Sequence, residues 1–223
     1  MNKDKGFLEQ WGPIIWEALI ETFQMTSISL IISIALGVPL GLMLVLTRSG
    51  QAFENKWVYR ISNLIINIIR SIPFIILLFF ILPLTKFLVG TTIGVKGVIV
   101  PLVVYTAPYI ARLLETALLE VSPGVMEAYT AMGVKRRHII WHVLLREARS
   151  SIVLGLTIAT VGLIGATAMA GLVGAGGLGD LAYRYGHIRF QVDVMYAAVF
   201  ILIILVQVVQ SIGNRVAAKL KKD

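Results

Sequence analysis

Long blocks of uncharged, mostly apolar residues recur along the chain and predict membrane-spanning helices. About 20 apolar residues cross the hydrocarbon layer as a helix. Three blocks without a charged residue are near or above that length, at about 22–47, 150–179 and 194–214. Their length favours membrane spans over the helices of a soluble core.

Two weaker blocks bring the predicted number of spans to five. The block at about 61–85 contains Arg70, and the block at about 93–114 has Lys96 and Arg112 near its two ends. A charged side chain is costly in hydrocarbon unless it faces protein or reaches the interface, so these cations need such positions. The pattern predicts an all-α, polytopic membrane protein, with residues 1–223 as a single transmembrane domain.

Arg70 is the one basic residue well inside a predicted span. Asn63 and Asn67 precede it by about two turns and one turn and share a similar helix face. An intramembrane charge indicates a functional position. A side chain that snorkels to the nearer membrane edge is the alternative, and both interpretations stay open.

The distribution of Lys and Arg predicts the orientation. Thirteen lie in the loop 47–60, the segment 112–149 and the tail from 215, against six in the opposite set of loops. Cytoplasmic loops carry the excess of these residues, which places the N-terminus outside and the C-terminus in the cytoplasm. The net charge of +8 then indicates contact with anionic lipid rather than with nucleic acid.

Composition and motifs restrict the chemistry that this chain performs. Hydrophobic residues make up 57% of the sequence, and there is no cysteine for a disulfide or a thiolate site. No G-x-x-x-x-G-K-[ST] sequence provides a P-loop for ATP. His138 and His142 are four residues apart, but His187 is predicted on the opposite side, so we predict no metal site, no cofactor and no catalytic residue.

The polar segment 112–149 is too long and too patterned for a simple connection. Ser122 is suited to the N-cap of a short helix, Pro123 to its first turn and Gly133 to its end. An amphipathic stretch follows, and we expect its apolar face to dock on the membrane domain. That face consists of Ile139, Ile140, Val143 and Leu144. A basic helix lying on anionic lipid is the alternative.

A motif with three parts lies in this segment: Glu127-Ala128-Tyr129, Gly133 and Val143-Leu144-Leu145. In order and spacing it resembles the cytoplasmic signature of type I import permeases of the ATP-binding-cassette class, although Arg146 stands where that family usually has proline. The resemblance implies a coupling helix within about 122–146 that sits in a groove of an ATPase subunit. The residues implied to contact that subunit are Glu127, Ala128, Tyr129 and Gly133.

Further stretches are similar to those of methionine importer permeases, a family within that class. They are 70–78, 89–94, 107–112 and 174–183. The resemblance implies a homodimer in the lipid of a bacterial cytoplasmic membrane, with a small amino acid as its substrate. It also implies two partners: a dimer of ATPase subunits, which binds ATP and Mg, and an extracytoplasmic methionine-binding lipoprotein. Permeases for another amino acid, ion-coupled carriers and assembly scaffolds are the alternatives; a carrier is disfavoured because the acidic residues lie in predicted loops or near span ends.

Small residues near the fourth span suggest helix packing. Gly162, Ala166, Ala170 and Gly174 recur every four residues and predict a ridge for intrachain or dimer contact. Thr167 and Met169 lie off that ridge and, with Arg70, are candidates for the translocation pathway or its gate. Gly174, Gly176 and Gly179 match G-x-G-x-x-G, but an apolar helix precedes them instead of a strand, so we predict a helix end and a turn at the outer face rather than a dinucleotide site.

Overall fold

The computed structural model describes residues 6–51 and 53–221, and within these ranges the regular structure is entirely helical. Six side chains also lie outside the described part: Leu8, Pro123, Met126, Glu127, Thr130 and Arg136. The all-α prediction is therefore confirmed for the described residues.

The described α-helices vary from one turn to more than ten turns. They are α1 (Phe7–Thr47), α2 (Lys56–Ser71), α3 (Phe74–Val89), α4 (Gly94–Leu119), α5 (Pro123–Ala131), α6 (Arg136–His138), α7 (Leu145–Glu147), α8 (Arg149–Ala170), α9 (Gly177–Leu181) and α10 (Val192–Lys221). π-Helical stretches at Ile139–Leu144 and Ala182–Ile188 and a 3₁₀ turn at Gly171–Val173 continue them.

Four helices among the described residues are long and apolar enough to cross a membrane: α1, α4, α8 with the turn that follows it, and α10. The bent pair of α2 and α3 supplies a fifth crossing if it counts as one span. A polytopic membrane protein is thus confirmed, while the number of five spans stays a prediction.

The block predicted as one span at 61–85 is not one straight helix. α2 and α3 are bent by 112° at the break after Ser71. Ile72 has an extended conformation, with φ −89° and ψ 123°, and Pro73 follows it. Proline clashes with a helical conformation at the preceding residue, so the chain turns here.

Three further boundaries differ from those predicted by hydropathy. α1 begins at Phe7, well before the apolar block, and α4 continues to Leu119, so Arg112 lies in a helix and not in a loop. α8 ends at Ala170, earlier than the predicted span end at 179. Backbone bonding and capping decide where a helix ends, whereas hydropathy reports only the apolar part.

The chain divides into two compact units. The first comprises the described residues up to Ile31, Pro73–Val104 and Thr160–Val208. Its core contains Trp11, Ala18, Leu178, Leu181, Val194 and Ala198. The second comprises Ile32–Ile72, Tyr105–Ala159 and the described residues from Val209. One of its cores contains Leu42, Val45, Leu114, Leu118, Leu144 and Ala148. A single domain over residues 1–223 stays a prediction.

Within the second unit, α1 and α4 are in backbone contact at small residues. A Cβ atom at Gly37 would lie 2.6 Å from the carbonyl oxygen of Ala107, and one at Gly41 would lie 2.7 Å from that of Ala111. Only glycine permits this approach. The spacing Gly-x-x-x-Gly signals this contact in the sequence, but the predicted ridge was placed on α8.

Candidate functional site

The predicted coupling helix is α5, and glycine ends it as expected. The N–H of Val134 donates to the carbonyl oxygen of Tyr129 at 3.2 Å, and Gly133 has φ +75°. This six-to-one bond across a left-handed glycine is the Schellman ending of a helix. Helix α5 runs from Pro123 to Ala131, so both predicted boundaries of the short helix are confirmed.

The end of α5 presents small groups at an open surface. Ala128 is exposed and Tyr129 half-buried, while a Cβ atom at Gly133 would meet nothing within 4 Å. Met132, which precedes the glycine, is 66% exposed. The side chain of Glu127 lies outside the described residues. This surface is therefore accessible to a partner in the isolated chain.

The segment after α5 anchors it to the rest of the second unit. The π-helix Ile139–Leu144 contacts α5, and its residues Ile139, Ile140 and Leu144 are buried. Leu144 and Ala148 share a core with residues of α1 and α4. The predicted docking of the amphipathic stretch is thus confirmed, and packed side chains connect the segment after α5 to α1 and α4.

Arg146 replaces the proline that is usual in the resembling family, and the helical structure continues through it. α7 includes Arg146 and ends at Glu147, and Ala148 has φ −79° and ψ −3° before α8 begins. An arginine keeps the backbone N–H that proline lacks, which permits this continuation.

A polar network joins α2 to α4 inside the second unit. The guanidinium of Arg112 donates to the carboxylate of Glu115 at 2.5 Å. It also donates to the side-chain oxygens of Asn63 at 2.6 Å and Asn67 at 2.8 Å. Glu115 is buried, at 3% exposure. The two asparagines therefore accept hydrogen bonds from Arg112 and not from the neighbouring Arg70. The hydropathy pattern did not indicate this long-range contact.

Arg70 lies at the C-terminal end of α2 and is exposed. Its guanidinium carbon is 5.6 Å from the centre of the Tyr109 ring, a cation–π geometry. The structure brings Arg70 beside an aromatic residue of α4 and leaves it accessible. A role on the pathway stays a prediction.

The residues of the predicted small-residue ridge have different surroundings, and their role in helix packing stays a prediction. Gly162 is exposed, whereas Ala166 and Ala170 are buried. Gly174 lies beyond α8, in a left-handed turn with φ +80°. Steps of four residues rotate by about 40° per step around a helix of 3.6 residues per turn, so the four positions drift across different faces.

The two predicted pathway residues of α8 have different surroundings. Thr167 is 1% exposed, and its hydroxyl donates to the carbonyl oxygen of Ile164 at 2.7 Å. The side chain is therefore packed inside the chain in this conformation, and its assignment to the pathway stays a prediction. Met169 is 52% exposed and remains a candidate.

The glycine-rich sequence after α8 forms the predicted helix end and turn. Gly174, Gly176 and Gly177 all have positive φ, and the chain then enters α9. From α1, the carboxylate of Glu21 accepts from the N–H of Gly177 at 2.7 Å, and the hydroxyl of Thr22 accepts from that of Leu178 at 2.9 Å. These bonds satisfy the first donors of α9.

This turn borders a pocket of about 520 Å³ in the first unit. Its charged lining residues are Glu17, Glu21, Asp180 and Arg184. Asp180 and Arg184 form an ion pair, and Asp180 is buried. Tyr185 also lines the pocket, and the Arg189 guanidinium carbon is 4.7 Å from its ring centre. The pocket therefore has more carboxylates than cations at its wall.

These features define a polytopic helical membrane protein with a short, exposed helix anchored on its spanning helices. Residues 37–222 match the model of the family described as "Binding-protein-dependent transport system inner membrane component". This match covers more than half of the chain, and the chain belongs to this family of transporter permease subunits.

Relatives with assigned functions agree with the family. The chain is 43% identical over 211 residues to the probable D-methionine transport system permease protein MetI of Vibrio cholerae, covering 93% of this chain and 94% of the relative. It is also 43% identical over 200 residues to the methionine import system permease protein MetP of Bacillus subtilis, covering 90% of each.

Solved structures agree as well. A chain of an inward-facing MetNI methionine ABC transporter matches with a TM-score of 0.92 and 43% identity, covering 95% of this chain and 98% of that one. A chain of an amino acid ABC transporter solved with histidines matches with a TM-score of 0.74 and covers 98% of each chain. At 19% identity this second likeness indicates the fold alone.

Proposed function

We propose that this chain is the membrane-spanning permease of an ATP-driven methionine importer. It acts as a homodimer with two ATPase subunits, which bind ATP and Mg, and with an extracytoplasmic methionine-binding lipoprotein. The observation that carries the proposal is the exposed α5, ended by Gly133 and anchored on buried residues of the π-helix that follows. The 43% identity to methionine permeases over almost the whole chain supports the substrate.

The proposed orientation has the N-terminus outside and the C-terminus in the cytoplasm. The excess of Lys and Arg in the loops that include α5 supports it. In this orientation α5 faces the ATPase, and the pocket beside Gly174 lies at the outer side. The lipoprotein then docks near that pocket.

Coupling requires that α5 moves together with the spanning helices. Leu144 and Ala148 are buried against Leu42 of α1 and Leu114 of α4. Side chains in a close-packed core transmit displacement because they leave no void to absorb it. Movement of the ATPase subunits therefore rocks the helices of each copy, and substrate passes between the two copies.

The candidate pathway residues are those that the isolated chain leaves exposed. Arg70 offers a cation to the substrate carboxylate, and Met169 offers a soft apolar surface to its thioether. Two charges on a zwitterionic amino acid require polar partners during passage, because an unpaired charge is costly in hydrocarbon.

Replacement of Ala128 by arginine tests the coupling surface. Ala128 is exposed, so Ala128→Arg disturbs a partner groove without altering the core of this chain. We expect the variant to insert and dimerise normally but to lose most copurifying ATPase subunit. Ala218→Arg, on the exposed side of α10, is the matched control and should retain it.

Equal copurification of the ATPase with both variants would contradict the assignment of α5 as the coupling helix. The substrate is tested separately, by measuring which amino acid the partner lipoprotein binds. Selective binding of another amino acid would leave the coupling assignment intact and would exclude methionine as the substrate.

A further inference from the structure

Helix α2 has an apolar face that the described part of the chain leaves exposed. Five residues on that face are each more than half exposed: Trp57, Ile61, Leu64, Ile65 and Ile68. On the opposite side, Ile66 is buried with Leu44 and Ala111. The helix is therefore held to the second unit by one edge, while a continuous apolar stripe faces outward.

A basic pocket of about 430 Å³ adjoins the beginning of the same helix. Arg48, Lys56 and Arg60 line it, together with Ser49, Tyr59 and Asn63. Three cations at one pocket form an electrostatic surface for an anion, and hydroxyl and amide groups add hydrogen-bond donors.

One carboxylate lies close to this pocket and contacts two of its lining residues, Ser49 and Lys56. Glu54 accepts from the N–H of Gly50 at 3.0 Å and from the hydroxyl of Ser49 at 3.2 Å, and it lies 3.9 Å from the Lys56 ammonium. The Gly50 N–H, followed by the Ser49 hydroxyl, lowers the pKa of Glu54, so the carboxylate is ionised at neutral pH. Three cations against one carboxylate leave a net positive charge.

The basic pocket and the apolar face meet at Trp57. The guanidinium carbon of Arg60 lies 5.9 Å from the centre of the Trp57 ring. Trp57 is 72% exposed and begins the apolar stripe. A ring with a polar edge, flanked by cations on one side and aliphatic residues on the other, is typical of the boundary between lipid headgroups and acyl chains.

We propose that this corner of the molecule is a binding site for an anionic phospholipid. The phosphate lies among Arg48, Lys56 and Arg60, and an acyl chain follows the stripe from Trp57 to Ile68. Charge complementarity selects an anionic headgroup, and the adjoining apolar face selects a lipid over a soluble phosphate. A two-fold contact of this corner with the same corner of a second copy would place like charges together, which disfavours that occupant. The proposal rests on the part of the proposed function that places this chain in a membrane. It does not depend on methionine being the transported substrate.

Native mass spectrometry of the detergent-solubilised complex tests the site. The complex is exchanged into mixed micelles that contain equal amounts of phosphatidylglycerol and phosphatidylcholine. We compare the wild type with the triple variant Arg48→Gln, Lys56→Gln, Arg60→Gln. Each surface cation contributes about fivefold in affinity for anionic lipid, so loss of three weakens retention of phosphatidylglycerol roughly 100-fold.

The matched control removes three exposed cations from the end of α10, in Arg215→Gln, Lys219→Gln, Lys221→Gln. We expect this variant to retain phosphatidylglycerol like the wild type. Trp57→Ala should weaken lipid retention while leaving the charge unchanged. Equal thermal stability of all variants shows that the fold is intact.

Three results would overturn the proposal. The first is retention of phosphatidylglycerol by the pocket variant at the wild-type level. The second is displacement of the lipid by millimolar inorganic phosphate, which would indicate a site for soluble anions. The third is loss of the permease dimer together with the lipid, which would assign the apolar face of α2 to the subunit interface.

Discussion

At the scale of single residues, the left-handed conformation of Gly133 shapes the exposed end of α5. Its φ of +75° permits the bond from Val134 to Tyr129 that closes the helix. Beyond its chain neighbours, no described atom lies within 4 Å of a Cβ placed there, so conformation rather than space selects glycine in the isolated chain. This feature was predictable because a helix stop depends on a few neighbouring residues.

Two substitutions at Gly133 separate conformation from side-chain size. A β-branched residue in the left-handed region costs about 1–2 kcal/mol, whereas asparagine tolerates it. We expect Gly133→Val to reduce ATP-dependent uptake severalfold and Gly133→Asn to keep most of it, as measured in proteoliposomes containing the whole transporter. Equal activity of the two variants would show that the left-handed turn is dispensable.

The pair of Arg112 and Glu115 was not predictable from local sequence. It depends on a helix that continues past the apolar block and on two asparagines more than 40 residues away. Arg112→Gln leaves a buried carboxylate without its cation, which costs about 3–5 kcal/mol. The double variant Arg112→Gln, Glu115→Gln should recover much of that loss in thermal unfolding of the purified dimer. A double variant less stable than Arg112→Gln would contradict the pairing.

At the scale of helices, small residues and one proline determine the geometry. Gly37 and Gly41 bring α1 onto α4, and the sequence Ile72-Pro73 bends the chain between α2 and α3. Hydropathy located the long apolar blocks, but it does not register a backbone break within a block. It also does not show which small residues contact another helix, because contact depends on the relative rotation of two helices.

Matched glycine substitutions test the contact between α1 and α4. Gly41→Val would place its Cβ 2.7 Å from a carbonyl oxygen of α4, whereas Gly165 has nothing within 4 Å. Overpacking costs about 1–3 kcal/mol, so Gly41→Val should lower the melting temperature well below that of Gly165→Val. Equal melting temperatures would mean that α1 and α4 are not in close contact in the native protein.

At the scale of the whole molecule, the proposed function depends on one exposed helix that couples a chain without a P-loop sequence to separate ATPase subunits. The family match covers residues 37–222, and sequence similarity to methionine permeases extends over almost the full length of this chain. The class of protein was predictable because span lengths and the coupling motif depend on residues that are close together in the sequence. The residues of the translocation pathway were less predictable. Thr167 is buried in the isolated chain, and the opening between two copies depends on the dimer.

Uptake of labelled methionine tests the central claim most directly. Proteoliposomes would hold this chain, its ATPase and its binding lipoprotein, with ATP on the ATPase side. We expect methionine to accumulate against its gradient, and this accumulation to be abolished without ATP and by Ala128→Arg but not by Ala218→Arg. Uptake that is independent of ATP, or no uptake while the lipoprotein still binds methionine in an assembled complex, would contradict it.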